Sequence, residues 1–257
     1  MEFVTVAKEG NAAFLKMERP PANALSRQMM QELAGVFEEL EHDSQTRAVL
    51  LYGEGRFFSA GADIKEFTTV ESGASFAELA RNGQEVLEKI ENFPKPVIAA
   101  IHGAALGGGL ELAMACHIRL VSENAKLGLP ELNLGLIPGF AGTQRLPRYV
   151  GTAKAAEMLF TSEPISGIEA VKWGLANHAY PEVQLLEKAK RMVHSIAQKS
   201  PLSLRAAIEL LHHGKSGQYE EGLKLEARRF GELFDSKDGQ EGISAFIGKR
   251  EPKFTGE

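Results

Sequence analysis

Residues 97–116 read VIAAIHGAALGGGLELAMAC. The stretch is long enough to raise the question of a membrane span, but Glu111, His102 and the glycine triplet break it. It reads instead as a short buried strand, 97–101, followed by a glycine-opened helix. Glu111 is its only acid. A second isolated acid, Glu131, is the only charge in 127–138, LGLPELNLGLIP. Desolvating a carboxylate without a partner costs several kcal/mol or more, on the order of the penalty that normally keeps glutamate at the surface, and neither stretch supplies a Lys or Arg. Each acid is therefore either a structural carboxylate satisfied by backbone N–H groups or an outside arginine, or a group kept for chemistry.

Working outward, residues 3–6 and 13–17 read as strands paired across a turn at 8–11. Residues 26–40 carry Met29, Met30, Leu33, Val36, Phe37 and Leu40 at helical spacing, and 76–90 carry Phe76, Leu79, Val86, Leu87 and Ile90 likewise. Between and after them, 48–52 and 97–101 read as buried strands. Strands separated by helices predict parallel pairing through right-handed crossovers, an α/β architecture. From about Thr143 the pattern turns helical, with helices expected at 153–160, 167–173, 183–197, 202–212, 219–234 and 240–247. The expected organisation is an α/β core over 1–195 and a helical C-terminal region over 196–257, whose aromatics Phe230, Phe234 and Phe246 suit docking on the core or on another subunit.

The 257 residues can bury a sizeable core, and 44% hydrophobic with 25% charged residues is ordinary globular composition. A net charge of -5 offers no basic field for a nucleic-acid backbone. The one cysteine, Cys116, excludes an intramolecular disulfide and, in its apolar setting, reads as a packing residue. The N-terminal residues MEFVTVAKEG lack secretory or transit character, so a cytoplasmic location is expected.

The motif 104–111, AALGGGLE, puts free helix N-terminal N–H groups beside Glu111, which lies three residues after Gly108 and so on the same helical face. Just after the 48–52 strand, 57–65 reads FFSAGADIK, where an α/β sheet places its ligand crevice. Its small residues could bare the N–H of Ala62, making with that of Gly108 a two-donor oxyanion hole. Lys65 is a candidate phosphate contact. Competing motifs fail: no G-x-x-x-x-G-K-[ST], no G-x-G-x-x-G, no G-x-S-x-G around Ser59, and no H-E-x-x-H among the seven histidines.

At four ordered places the chain resembles the enoyl-CoA hydratase branch of the crotonase superfamily: RPPANAL at 19–25, SAGADIK at 59–65, ALGGGLEL at 105–112, and Pro130-Glu131 leading into IPGFAGTQRL at 137–146. The resemblance implies repeated ββα units, a helical C-terminal trimerisation region, and a homotrimer or dimer of trimers. It implies a coenzyme A thioester polarised by the N–H groups of Ala62 and Gly108, with coenzyme A as part of the substrate and no metal or other cofactor. Hydratases of this family keep both acids represented by Glu111 and Glu131. The family picture makes Glu111 the water-activating base and Glu131 the donor of the C2 proton, with the Gly139 N–H orienting the water. By the same likeness Ala60, Ala62 and Ile64 would meet the adenine and Lys65 the ribose phosphate. Phe230, Phe246 and Lys249 would reach the ligand from a neighbouring subunit or the C-terminal helices. Two places depart from the usual pattern: His117 stands where an aspartate is more common, which puts an ion pair to Arg119 in doubt, and Phe140-Ala141 replaces a frequent Ala-Gly.

The activity this implies is reversible addition of water to a 2-trans-enoyl-CoA, as in fatty-acid β-oxidation. Rivals on the same fold are a 3,2-enoyl-CoA isomerase and a branched-chain acyl-CoA hydratase; a rival of another class is an RNA-binding or scaffold role, against which the acidic charge argues. No membrane association is expected.

Overall fold

The computed structural model describes every residue except Ser216. In chain order the elements are β1 (Val4–Glu9), β2 (Ala12–Met17), α1 (Arg27–His42), β3 (Ala48–Gly53), α2 (Ile64–Phe67), α3 (Gly73–Glu91), β4 (Val97–Ile101), β5 (Ala104–Leu106), α4 (Gly108–Ala115), β6 (Ile118–Ser122), β7 (Lys126–Gly128), a 3₁₀ turn (Glu131–Leu134), α5 (Gly142–Thr161), β8 (Ile165–Ser166), α6 (Gly167–Lys172), β9 (His178–Tyr180), and helices α7 (Glu182–Ala197), α8 (Pro201–Gly214), α9 (Tyr219–Asp235) and α10 (Lys237–Ile247). No helix among the described residues is long and apolar enough to cross a membrane.

The main sheet runs β1-β2-β3-β4-β6-β9, antiparallel only at the β1–β2 hairpin and parallel thereafter. The hairpin turn is tighter than the 8–11 expected, because Gly10 takes φ +59° and lets both strands run to the turn. Strands β2, β3 and β4 are buried on both faces, and their side chains alternate between two cores. Leu15, Leu51 and Ala99 join one core with α1, α3 and α4; Phe14, Leu50 and Ile98 join the other with Leu185, Ala189 and Val193 of α7. Expected helices start and stop within a few residues of the observed ones, with Ser26 capping α1 by accepting from Met29 N–H. The exception is α5, which begins eleven residues before the expected 153–160 and bends at Gly151 (φ +75°), where two helical stretches meet. The helical reading after Thr143 also omits β8 and β9, which are two and three residues long. The last helix on the sheet, α7, ends at Ala197; α8, α9 and α10 pack on one another.

A second, small sheet, β5-β7-β8, sets the site. Twice in succession a strand of the main sheet is followed by a strand of the small one and then by a helical turn: β4-β5-α4, then β6-β7 and the 3₁₀ turn. β5 and β7 pair in parallel, Ala105 opposite Leu127, and Ser59 bridges Ala105 from the other side, also in parallel. Three chain segments therefore end side by side, pointing the same way. They lead into Gly61-Ala62, Gly107-Gly108 and Pro130-Glu131, respectively.

Candidate active site

The residues after Ser59 are held by the 19–25 motif. Asn23, buried and at φ +50°, donates from Nδ2 to the carbonyls of Glu54 (2.9 Å) and Phe57 (2.8 Å) and accepts at Oδ1 from Arg19 N–H (2.8 Å). Ser59 Oγ donates to the Asn23 carbonyl at 2.8 Å, and Arg19 pairs with Asp63 at 2.5 Å. The parallel bridge between Leu25 and Ala62 is made through the Gly61 carbonyl (2.8 Å) and the Asp63 N–H (3.2 Å). That pattern uses the groups on either side of Ala62 and leaves its own N–H out of the bridge. Facing it, Gly108 opens α4, so its N–H is one of the four that an α-helix leaves unpaired. The two donors are close: a Cβ on Gly108 would lie 3.4 Å from Ala62 N. Gly107 before it takes φ +51°, and the turn at Gly61 takes φ +105°. The sequence-based pair of donors is thus brought together.

Every residue of α4 is buried, including Glu111 at 1% exposure. Both of its protein hydrogen bonds fall on one oxygen: Oε1 accepts from Phe140 N–H (2.8 Å) and Gly142 N–H (2.6 Å). A structural carboxylate so held would sit below its ordinary range. Here burial outweighs the two bonds and, with the charge of Glu131 adding to it, pushes the Glu111 carboxyl up to about 7. Glu131, at the start of the 3₁₀ turn, is also raised by burial. Its Oε1 lies where a Cβ on Gly107 would come within 2.9 Å, and its Oε2 is buried without a hydrogen-bond partner among the described residues. Two acids with raised pKa values thus lie next to the two bare N–H groups.

They share a cavity of about 320 Å³ walled mainly by apolar side chains, with Ala62, Gly108, Glu111, Glu131 and Gly139 on its lining. Ala60 and Ile64 lie on it too, and Ile64, Leu134 and Ile137 are exposed at its rim. Lys65, Phe230, Phe246 and Lys249 line neither this cavity nor a neighbouring one of about 650 Å³. Phe230 and Phe246 are 77% and 86% exposed on the C-terminal helices.

Three groups without an assigned role in the sequence support the acids. Arg145 of α5, buried, donates to the Phe140 carbonyl (2.7 Å) and pairs with Glu91 (2.7 Å), which also receives Lys215 (2.7 Å). Burial works to raise the Glu91 carboxyl, but the bonds from Lys215 and Arg145 prevail and hold it below the usual range. The residue that presents its N–H to Glu111 is therefore also held at its own carbonyl, in the next peptide unit. The signal was the arginine in IPGFAGTQRL, whose acid partner lies 54 residues earlier. At the other end of α4, Arg119 makes no ion pair among the described residues. It donates to the carbonyls of Cys116 (2.5 Å) and Leu175 (2.6 Å) and lies over the Tyr149 ring. A cation at a helix C-terminus answers the free carbonyls there. His117 accepts from Val97 N–H and is kept neutral by burial, which lowers it to about 4. Cys116 is buried, its thiol pushed up to about 12, as befits a packing residue. No cluster of His, Cys, Asp and Glu among the described residues could hold a metal ion.

Paired raised carboxylates thus lie beside two converging N–H donors at the ends of parallel strands. The family model for enoyl-CoA hydratase/isomerase matches residues 7–257. A protein of Bacillus subtilis named probable enoyl-CoA hydratase is 57% identical over 258 residues, covering 100% of both chains. A short-chain-enoyl-CoA hydratase of Clostridium acetobutylicum is 40% identical, over 96% of this chain and 95% of its own. The crystal structure of an enoyl-CoA hydratase from Bacillus anthracis superposes with a TM-score of 0.95 at 36% identity over both full lengths. The chain belongs to the enoyl-CoA hydratase/isomerase family and has the crotonase fold.

Proposed function

We propose that this protein is an enoyl-CoA hydratase, a hydro-lyase that adds water reversibly across the C2–C3 double bond of a 2-trans-enoyl-CoA, serving fatty-acid β-oxidation in the cytoplasm. The observation that carries the reading is the convergence of the Ala62 and Gly108 N–H groups with Glu111 and Glu131 in one cavity. The thioester oxygen sits between the two N–H donors, which hold the enolate charge as it develops. Water held by the two carboxylates delivers its oxygen to C3, while a carboxyl proton goes to C2 and a water proton replaces it. Two acids this close share one proton rather than both ionising. Burial raises both carboxyls, and a water bridging them lets the shared proton stand on Glu131 for delivery to C2 while Glu111 takes one from water. Gly139 lies on the lining where its N–H can meet that water. An isomerase needs one base moving a proton between C2 and C4, and a second acid holding water would compete by offering a nucleophile at C3.

The coenzyme A portion lies along Ala60, Ala62 and Ile64, with Lys65 on a phosphate. Phe230, Phe246 and Lys249 come from a neighbouring subunit of a homotrimer or dimer of trimers. No metal or cofactor other than the substrate's own coenzyme A takes part.

Crotonyl-CoA should lose its conjugated absorbance and yield the 3-hydroxy product. Glu111→Gln and Glu131→Gln should each lower turnover by roughly 100- to 10,000-fold, and the double variant should cost much less than the product of the two. Isomerisation of a 3-enoyl-CoA outrunning hydration at matched length would overturn the hydratase assignment.

A further inference from the structure

We infer that Phe140 is a fixed partition that closes the acyl end of the site, making this a short-chain enzyme with a second, unused chamber of mixed lining behind the ring. The inference rests on the acyl-CoA reading above and adds to it the length of the chain accepted. Phe140 stands in the walls of both cavities, the one of about 320 Å³ holding the acids and the neighbouring one of about 650 Å³, together with Ala62, Phe67 and Leu79. The far chamber has an apolar strip of Leu25, Met30, Ala34 and Val86, with Arg27, Asp63, Glu66, Glu78, Glu85 and Lys89 also on its walls. An aliphatic tail passing the ring would lie along that strip.

The ring is seated, not swinging. On one side it rests on Gly83, a buried residue in the middle of α3, where a Cβ would overlap the ring carbons. Glycine inside a helix costs about 1 kcal/mol relative to alanine, and the ring is what lies against this one. On the other side it lies along Gly108, whose Cβ would come within 3.3 Å of the ring. Its backbone is tied in both directions, the N–H to Glu111 and the carbonyl to Arg145. A ring bounded on two sides, on a backbone tied in two directions, limits what can extend past it.

The test compares binding of the saturated thioesters butyryl-CoA and decanoyl-CoA by calorimetry, and hydration of the matching 2-enoyl-CoAs, in four proteins: wild type, Phe140→Ala, Ala34→Trp and the double variant. Ala34 lies on the far chamber, away from the acids. Wild type should favour the short chain. Phe140→Ala should raise the long-to-short ratio roughly ten- to a hundredfold in both measurements, the discrimination an apolar pocket commonly exerts. Ala34→Trp should leave the wild-type ratio unchanged and cancel the gain in the double variant. An unchanged ratio in Phe140→Ala, or a wild type that takes the ten-carbon chain as well as the four-carbon one, overturns the partition. Ratios that move in binding without any hydration would overturn the hydratase reading alone and leave the partition standing.

Discussion

At the scale of the single residue, Glu111 ties stability to the proposed chemistry. Its carboxyl is raised from 4.5 to about 7, so between those values the native state holds a proton that the unfolded chain releases. The native state's relative advantage is therefore full below the unfolded value and is lost as pH rises through the folded one. Above pH 7 the ionised, buried carboxylate costs about 3 kcal/mol. Glu111→Gln should be more stable than wild type above pH 7, gain little below pH 4.5, and abolish most of the slope between, as read from denaturant melts across that range. A flat wild-type profile would refute it. Asn23 makes a different case. Asn23→Ala removes the donors to two part-buried carbonyls, a loss of about 1 kcal/mol each, and frees the segment that aims the Ala62 N–H. Turnover should fall more than the Michaelis constant rises, and urea midpoints should drop. Glu111 and Glu131 were legible in the sequence because an isolated acid in an apolar run is conspicuous. Asn23 was not, since its work is done on carbonyls 31 and 34 residues away, and nothing local marks it.

Among elements, the long ones announced themselves and the short ones did not. Residues 26–40 and 76–90 have helical periodicity because one face is buried, and the core strands are continuous apolar runs because both faces are. β5, β7 and β8 have three residues or fewer, too few for any period, yet their register brings Gly108 and Glu131 to one place. The start of α5 was missed for a related reason: Gly142 and Pro147 lie in its first turns and Gly151 interrupts it, so its apolar spacing changes phase. That same first turn carries Arg145 onto Phe140 and Glu91. Arg145→Met breaks a buried pair, which costs about 3–5 kcal/mol. A merely structural arginine would change the melting point alone. If Arg145 positions the Phe140 peptide, the folded variant should also lose turnover, and the acid limb of its pH–rate profile should move upward, because a positive charge that lowers Glu111 is gone. An unaltered pH profile in the folded variant would assign Arg145 to stability only.

For the whole molecule, the C-terminal helices leave apolar surface uncovered: Leu211 at 73%, Phe230 at 77%, Phe246 at 86% and Ile247 at 77% exposure. Single exposed apolar residues are ordinary, but bulky ones gathered in α8, α9 and α10 suit the association proposed above. The core of each chain has two packed faces of its own, so subunits should separate without unfolding. If the proposed oligomer forms, Phe246→Glu with Ile247→Glu should shift it, measured by light scattering, toward particles near the 27.9 kDa chain mass. If Phe230, Phe246 and Lys249 serve a neighbour's coenzyme A, the dissociated protein should keep its far-ultraviolet spectrum and lose affinity for acyl-CoA. Its turnover at saturating substrate should fall less, because Glu111, Glu131, Ala62 and Gly108 come from one chain. A wild type that is already monomeric would remove the association surface, and a dissociated variant with undiminished affinity would place the coenzyme A contacts wholly within the subunit.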